Sequence, residues 1–145
     1  LCCAADIILP NLTEACLLTG MEYRESYDEA YIRAVLEQLS ALGAKTIVLT
    51  GIGYRPDRTG VVVWESGRQS YYEHHRLAKG SHGTGDVYAS AFTGALMHGC
   101  SVQRAAQIAA DYTVRCIETT ASDASHWYGV KFETAIPYLV NRLYN

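Results

Sequence analysis

The sequence predicts an α/β fold, on three observations. Two apolar runs of strand length, Asp6 to Leu9 and Thr46 to Thr50, flank a segment with helical periodicity. A polar turn, Ser66-Gly67-Arg68, joins two further strand-like runs, Val61 to Glu65 and Gln69 to Arg76. After Gly85 the chain reads as a run of helices with one polar loop. Alternation of strand and helix is the signature of parallel strands joined by a crossover, and the short turn adds an antiparallel hairpin.

The elements follow in order. Asp6 to Leu9 ends at Pro10 and reads as a buried strand. A short helix over Thr13 to Thr19 is closed by Gly20. Ser26 and Glu29 have the spacing of a capping box, opening a helix whose face is Ile32, Val35, Leu36, Leu39 and Leu42; Gly43 stops it. Thr46 to Thr50 is a second buried strand, ended by Gly51-Ile52-Gly53. Pro56, Asp57 and Gly60 mark a loop before the hairpin. A helix runs from about Asp86 to His98, and Ser101 caps the next, which reaches about Thr120. A polar loop, Ser122 to Gly129, leads to a last helix with Pro137 in its first turn, where a missing N–H is tolerated.

Composition sets the class. Of 145 residues, 49% are apolar and 19% charged, enough for a packed core in one domain over residues 1–145. The formal charge of −3 and the lack of any basic run argue against nucleic acid or an anionic membrane as partner, because both require clustered cations. No apolar stretch is long enough to span a bilayer. The five cysteines, Cys2, Cys3, Cys16, Cys100 and Cys116, are odd in number and irregularly spaced, which predicts reduced thiols and a cytoplasmic location. Neither they nor the five histidines have metal-ligand spacing; His74 and His75 would face opposite sides of a strand. The opening Leu-Cys-Cys-Ala-Ala-Asp has no initiator Met and no signal-peptide pattern, and the strands are few for a complete doubly wound sheet. Both predict that the chain is part of a longer protein.

Two constellations carry chemistry. Gly80-Ser-His-Gly83-Thr84-Gly85-Asp86 precedes a helix. A glycine turn there exposes backbone N–H groups, and the helix dipole adds positive potential, so phosphate or a developing anion is held. Asp86, in the first turn, is placed to accept a proton from a substrate hydroxyl. The segment is neither a Walker loop nor a dinucleotide fingerprint, since Gly-Lys-Ser/Thr is missing and the glycine spacing differs. The local pattern alone also suits an acidic residue that merely stabilises a helix end, which is common. The second constellation is Asn11-Leu-Thr-Glu14, after the first strand. An amide and a carboxylate three apart share a helix face and suit a hydrated magnesium ion; they also suit a capping box and nothing more. Ligands of open α/β sheets bind at the carboxyl ends of parallel strands, where Asn11, Glu14, Thr50, Gly51 and, by their place before a helix, Gly83 to Asp86 are expected to gather.

With these motifs in this order, the chain resembles the ribokinase-like superfamily, in the form of its pyridoxal kinases. Asp6 to Gly20 is similar to that group's Asn-x-x-Glu segment, and Gly83-Thr84-Gly85-Asp86 to its Gly-Thr-Gly-Asp motif. The resemblance implies the C-terminal part of a three-layer α/β/α sandwich, with parallel strands and an antiparallel hairpin. It implies ATP-dependent phosphorylation of the 5′-hydroxyl of pyridoxal, pyridoxine or pyridoxamine. Asp86 is then the catalytic base and Gly83, Thr84 and Gly85 the anion hole. Asn11, Thr50 and Gly51 contact the nucleotide, and Glu14 organises Mg2+ through water. The complete protein is expected to be a homodimer. Two positions depart from the pattern: Leu9 replaces a frequent hydroxyl residue, and Gly51 a frequent Ser. The alternatives are a hydroxymethylpyrimidine kinase, whose motif usually has Cys at the place of Asp86, a sugar or nucleoside kinase, and a non-catalytic nucleotide-binding or dimerising segment.

Overall fold

The computed structural model describes residues 4–77, 83–121 and 129–145. The chain forms two compact units, Leu1–His75 and Arg76–Asn145.

The first unit is built on a four-stranded sheet in the order β1-β2-β3-β4, where β1 is Ile7–Ile8, β2 Thr46–Ile52, β3 Arg58–Glu65 and β4 Arg68–His75. β1 and β2 are parallel, and the other pairs antiparallel. The crossover between β1 and β2 carries helix α1, Leu12–Thr19, and helix α2, Glu29–Ala41. Gly20 ends α1 in the left-handed region, at φ 73°. α2 buries the predicted face: Ile32, Val35, Leu36 and Leu39 are essentially inaccessible and share a core with Ile47, Leu49, Ile52, Val62 and Trp64. Fully burying such a side chain contributes about 1.5–3 kcal/mol, so this stripe holds α2 to the sheet.

Several expectations change. β1 is two residues long and half-buried, not a buried strand, because β2 is its one neighbour among the described strands. Ser26 does not cap α2; Asp28 does, accepting from the Tyr31 N–H at 2.9 Å. The start shifts because the Tyr27 ring is packed against the core and its hydroxyl accepts from the Gly53 N–H at 3.2 Å, which holds Tyr27 outside the helix. Leu42 is the helix C-cap and is exposed. β2 does not stop at Thr50. Gly51, at φ 74°, is an extra residue between Thr50, which pairs with Val61, and Ile52, which pairs with Gly60. Such a bulge bends a strand without ending it. Gly60 lies inside β3 rather than in a loop, and a Cβ there would sit 2.0 Å from the Tyr72 carbonyl oxygen. Ser66 and Gly67, both at positive φ, make the tight turn between β3 and β4.

The second unit is helical. Helix α3, Thr84–Met97, packs on helix α4, Val102–Ala121, through Tyr88, Ala91, Phe92 and Ala95 on one side and a run of alanines, Ala105, Ala106, Ala109 and Ala110, on the other. Small side chains let the backbones approach, and the Tyr88 hydroxyl reaches the Ala106 carbonyl at 3.2 Å. Ser101 accepts from the Arg104 N–H, as its capping role predicts. The last helix, α5, Ile136–Tyr144, has Pro137 in its first turn. It is tied to α4 by the Arg142–Asp111 ion pair and by Arg104 donating to the Arg142 carbonyl. Its apolar positions Ile136 and Val140 are exposed. Buried Thr120 is satisfied twice, donating to the Cys116 carbonyl and accepting from the Lys131 N–H.

Candidate functional site

The candidate residues fall in two groups, one in each unit. In the first, β1 leads through Pro10 into the N-terminus of α1. Asn11 and Glu14 form a reciprocal capping box: the Glu14 N–H donates to Asn11 Oδ1 at 2.9 Å, and the Asn11 N–H donates to Glu14 Oε2 at 2.9 Å. Both side chains are exposed. The box engages one oxygen of each and leaves Glu14 Oε1 and Asn11 Nδ2 outside it.

Thr50 lies beside this cap. Its N–H donates to the Pro10 carbonyl at 2.9 Å, and Asn11 and Thr50 form a parallel bridge that extends the β1–β2 pairing. The sheet therefore brings Asn11, Glu14, Thr50 and Gly51 to the carboxyl ends of two neighbouring parallel strands. Gly51 has open space where a Cβ would be, so its positive φ is what requires glycine.

Beyond Gly51, two hydroxyls bond successive residues of the backbone. The Tyr71 hydroxyl donates to the Ile52 carbonyl at 3.2 Å, and Tyr27 accepts from the Gly53 N–H. The Tyr54 ring stands edge-on between those of Tyr27 and Tyr71, at 6.3 and 5.0 Å. Burial, aided by nearby Glu29, pushes the Tyr54 phenol well above its ordinary value. Sequence reading missed this cluster. Its members are separated by 27 and 17 residues and belong to no short motif; only the hairpin register carried a signal for one of them.

The second group opens α3. Gly83 is its N-cap, in the left-handed region at φ 82°, and among the described residues no side-chain cap hydrogen bond closes the helix. The first intrahelical bond runs from the Val87 N–H to the Gly83 carbonyl. The N–H groups of Thr84, Gly85 and Asp86 thus precede the helical ladder, as the first turn of any helix dictates. Asp86 is the third helical residue, and it, Gly83 and Gly85 are exposed. Gly80, Ser81 and His82 of the same motif lie outside the described residues. Open amides at a helix N-terminus favour an anion, and a carboxylate one turn in can take a proton.

A hard oxygen donor is what magnesium requires. Glu14 Oε1 and the half-buried Thr50 hydroxyl fit that requirement. Among the described residues no group of three or more His, Cys, Asp and Glu could hold a metal by itself. Among the described residues Cys16, Cys100 and Cys116 are free thiols; Cys2 and Cys3 lie outside them. No helix among the described residues is long and apolar enough to cross a membrane.

The mixed sheet with its crossover helices is an α/β fold, and the family match and structural neighbours make it ribokinase-like. The chain belongs to the phosphomethylpyrimidine kinase family, whose model matches residues 1–130. It is 29% identical over 116 residues to the hydroxymethylpyrimidine/phosphomethylpyrimidine kinase of Bacillus subtilis, covering 78% of this chain and 41% of that protein. Among solved structures it is similar to the pyridoxal kinase of Lactobacillus plantarum, with a TM-score of 0.82 and 29% identity over 94% of this chain and 50% of that one. It is also similar to the pyridoxal kinase of Bacillus subtilis, solved as an ADP complex, with a TM-score of 0.67 and 27% identity over 77% of this chain and 42% of that one. The chain spans half or less of the length of each of these relatives.

Proposed function

We propose that this chain supplies the ATP site and the catalytic base of a kinase for the 5′-hydroxyl of pyridoxal, pyridoxine or pyridoxamine. The observation that carries the proposal is the N-terminus of α3: a left-handed glycine cap, no side-chain cap hydrogen bond among the described residues, and Asp86 in the first turn. Asp86 takes the proton of the substrate hydroxyl as its oxygen forms the bond to the γ-phosphorus. The bond from that phosphorus to the bridging oxygen breaks, and ADP leaves. The amides of Gly83, Thr84 and Gly85 stabilise charge on the transferring group, since phosphoryl transfer depends on positioning and electrostatics. Asn11, Thr50 and Gly51 hold the nucleotide phosphates, and Glu14 orients Mg2+ through water. The ADP bound by the Bacillus subtilis pyridoxal kinase supports the nucleotide assignment.

A second reading, phosphorylation of hydroxymethylpyrimidine or its phosphate, is favoured by the family match and by the curated Bacillus subtilis relative. Both acceptors are hydroxymethyl-bearing aromatic heterocycles, so one catalytic apparatus serves either. Asp86, where hydroxymethylpyrimidine kinases usually have Cys, inclines the choice to the vitamin B6 branch. We place the acceptor pocket outside residues 1–145 and the complete protein in the cytoplasm as a homodimer, so residues 1–145 alone should show no turnover.

The test is an ATP-coupled assay on the full-length protein with the three vitamers and hydroxymethylpyrimidine. A kcat/KM for one vitamer about ten-fold or more above that for the pyrimidine supports the first reading, a discrimination that a few pocket contacts provide. The reverse order supports the second, and no turnover of any acceptor sinks both.

A further inference from the structure

The segment after β2 is held in a way that the proposed chemistry does not by itself explain. Gly51 bulges out of β2 immediately after Thr50, and the next two residues each have one backbone polar group bonded by a tyrosine hydroxyl. The two tyrosines come from different places. Tyr27 lies in the segment before α2, and Tyr71 in β4. They are 26 and 19 residues from the groups they bond. Their rings meet through Tyr54, the residue after Gly53. Burial, and Glu73 after it, raise the Tyr71 phenol above its ordinary value, so its hydroxyl keeps the proton it donates.

The same loop is closed from its other side. The Arg58 N–H donates to the Arg55 carbonyl at 3.1 Å, and Arg55 forms an ion pair with Glu73 of β4. A Cβ on Gly53 would sit 2.3 Å from the Arg58 carbonyl oxygen, so the loop backbone is folded tightly on itself. A strand that only needed to end would require none of this. The two hydroxyls hold opposite ends of one peptide group, the Ile52 carbonyl and the Gly53 N–H, and so anchor the chain one residue beyond the Gly51 bulge.

From this geometry we infer that Tyr27 and Tyr71 are positioning residues: their hydroxyls clamp Ile52 and Gly53 and so aim the Thr50–Gly51 backbone at the nucleotide phosphates. The inference rests on the proposed nucleotide role of Thr50 and Gly51. Neither tyrosine touches a reacting atom. Together they restrict ψ of Ile52 and φ of Gly53, directly after the bulge, and pre-ordering of a binding segment lowers the cost of binding.

The test uses the full-length protein with Tyr27→Phe, Tyr71→Phe and the double variant, which keep the rings and remove the hydroxyls. ATP affinity is measured by calorimetric titration, amide exchange at Gly53 by mass spectrometry or NMR, and kinetic constants in the coupled assay. Each single variant should weaken ATP binding by up to about five-fold, the stability contribution of one net hydrogen bond being the ceiling on what its loss can pass to binding, and the double variant more. Gly53 exchange should quicken in Tyr27→Phe. The KM for ATP should rise in step while kcat and the KM of the acceptor stay within about two-fold, whereas general destabilisation would lower the active fraction and hence kcat. A double variant that binds ATP as the parent does overturns the inference, with the kinase reading untouched. A parent that turns over no acceptor but binds ATP sinks the kinase reading, and the titrations still decide the clamp. A parent that binds no ATP overturns both.

Discussion

The N-termini of α1 and α3 are both proposed to face phosphate, yet they are finished in opposite ways. α1 closes on itself: Asn11 and Glu14 satisfy each other's backbone N–H groups. α3 starts differently, with a left-handed glycine as its cap and no side-chain cap hydrogen bond among the described residues. A closed end has little left to offer an anion, but its carboxylate retains a free oxygen for a hydrated cation. An open end offers N–H groups and dipole to the anion itself. Under the proposed roles, the α1 terminus is the one suited to a hydrated cation and the α3 terminus the one suited to phosphate.

The sharpest way to break this comparison is at the open end. Asp86→Asn should lower kcat by about 10²–10⁴-fold, the usual contribution of a general base, while calorimetric ATP affinity stays near that of the parent. Unchanged turnover would remove Asp86 from the chemistry. Gly83→Ala comes next. Its φ of 82° costs an L-residue about 1–2 kcal/mol, so the midpoint of urea unfolding should fall and ATP binding weaken together.

The closed end separates two roles that one residue pair could serve. Glu14→Gln keeps an acceptor for the Asn11 N–H, since Gln serves equally in a capping box, but it removes the charge. If Glu14 organises magnesium, the Mg2+ concentration for half-maximal activity should rise several-fold at an unaltered melting temperature. If it is only a cap, neither quantity moves. Asn11→Ala should give the smallest effect: loss of the cap lowers stability by about 1 kcal/mol, read as a lower urea midpoint. An additional loss of ATP affinity in that variant would speak for direct nucleotide contact.

How much of this was legible beforehand depended on range. Caps and periodic faces rest on residues three or four apart, and the Asn11–Glu14 box, the α2 face and the Gly83–Asp86 opening of α3 all followed from the amino-acid order. Features that depended on distant partners did not. Ser26 and Glu29 had the spacing of a cap, but Tyr27 was required against the core and by Gly53, and the helix began at Asp28 instead. The run Asp6 to Leu9 looked apolar enough for a central strand, whereas its place in the sheet left it half-buried. Glycines at 51 and 60 looked like loop signals. One became a bulge and the other a close approach within β3, because the hairpin register needed an extra residue and a missing Cβ.

The sequence by itself determined the α/β class, the family resemblance and the two chemical motifs, since each is written in short-range spacing. Only the tertiary structure decided that Asn11 lies against Thr50, that β2 continues past its glycine, and that two distant tyrosines hold the turn beyond it. Those outcomes turn on which surfaces become buried together. A hydroxyl 26 residues away can settle a backbone direction only once the core has brought it there.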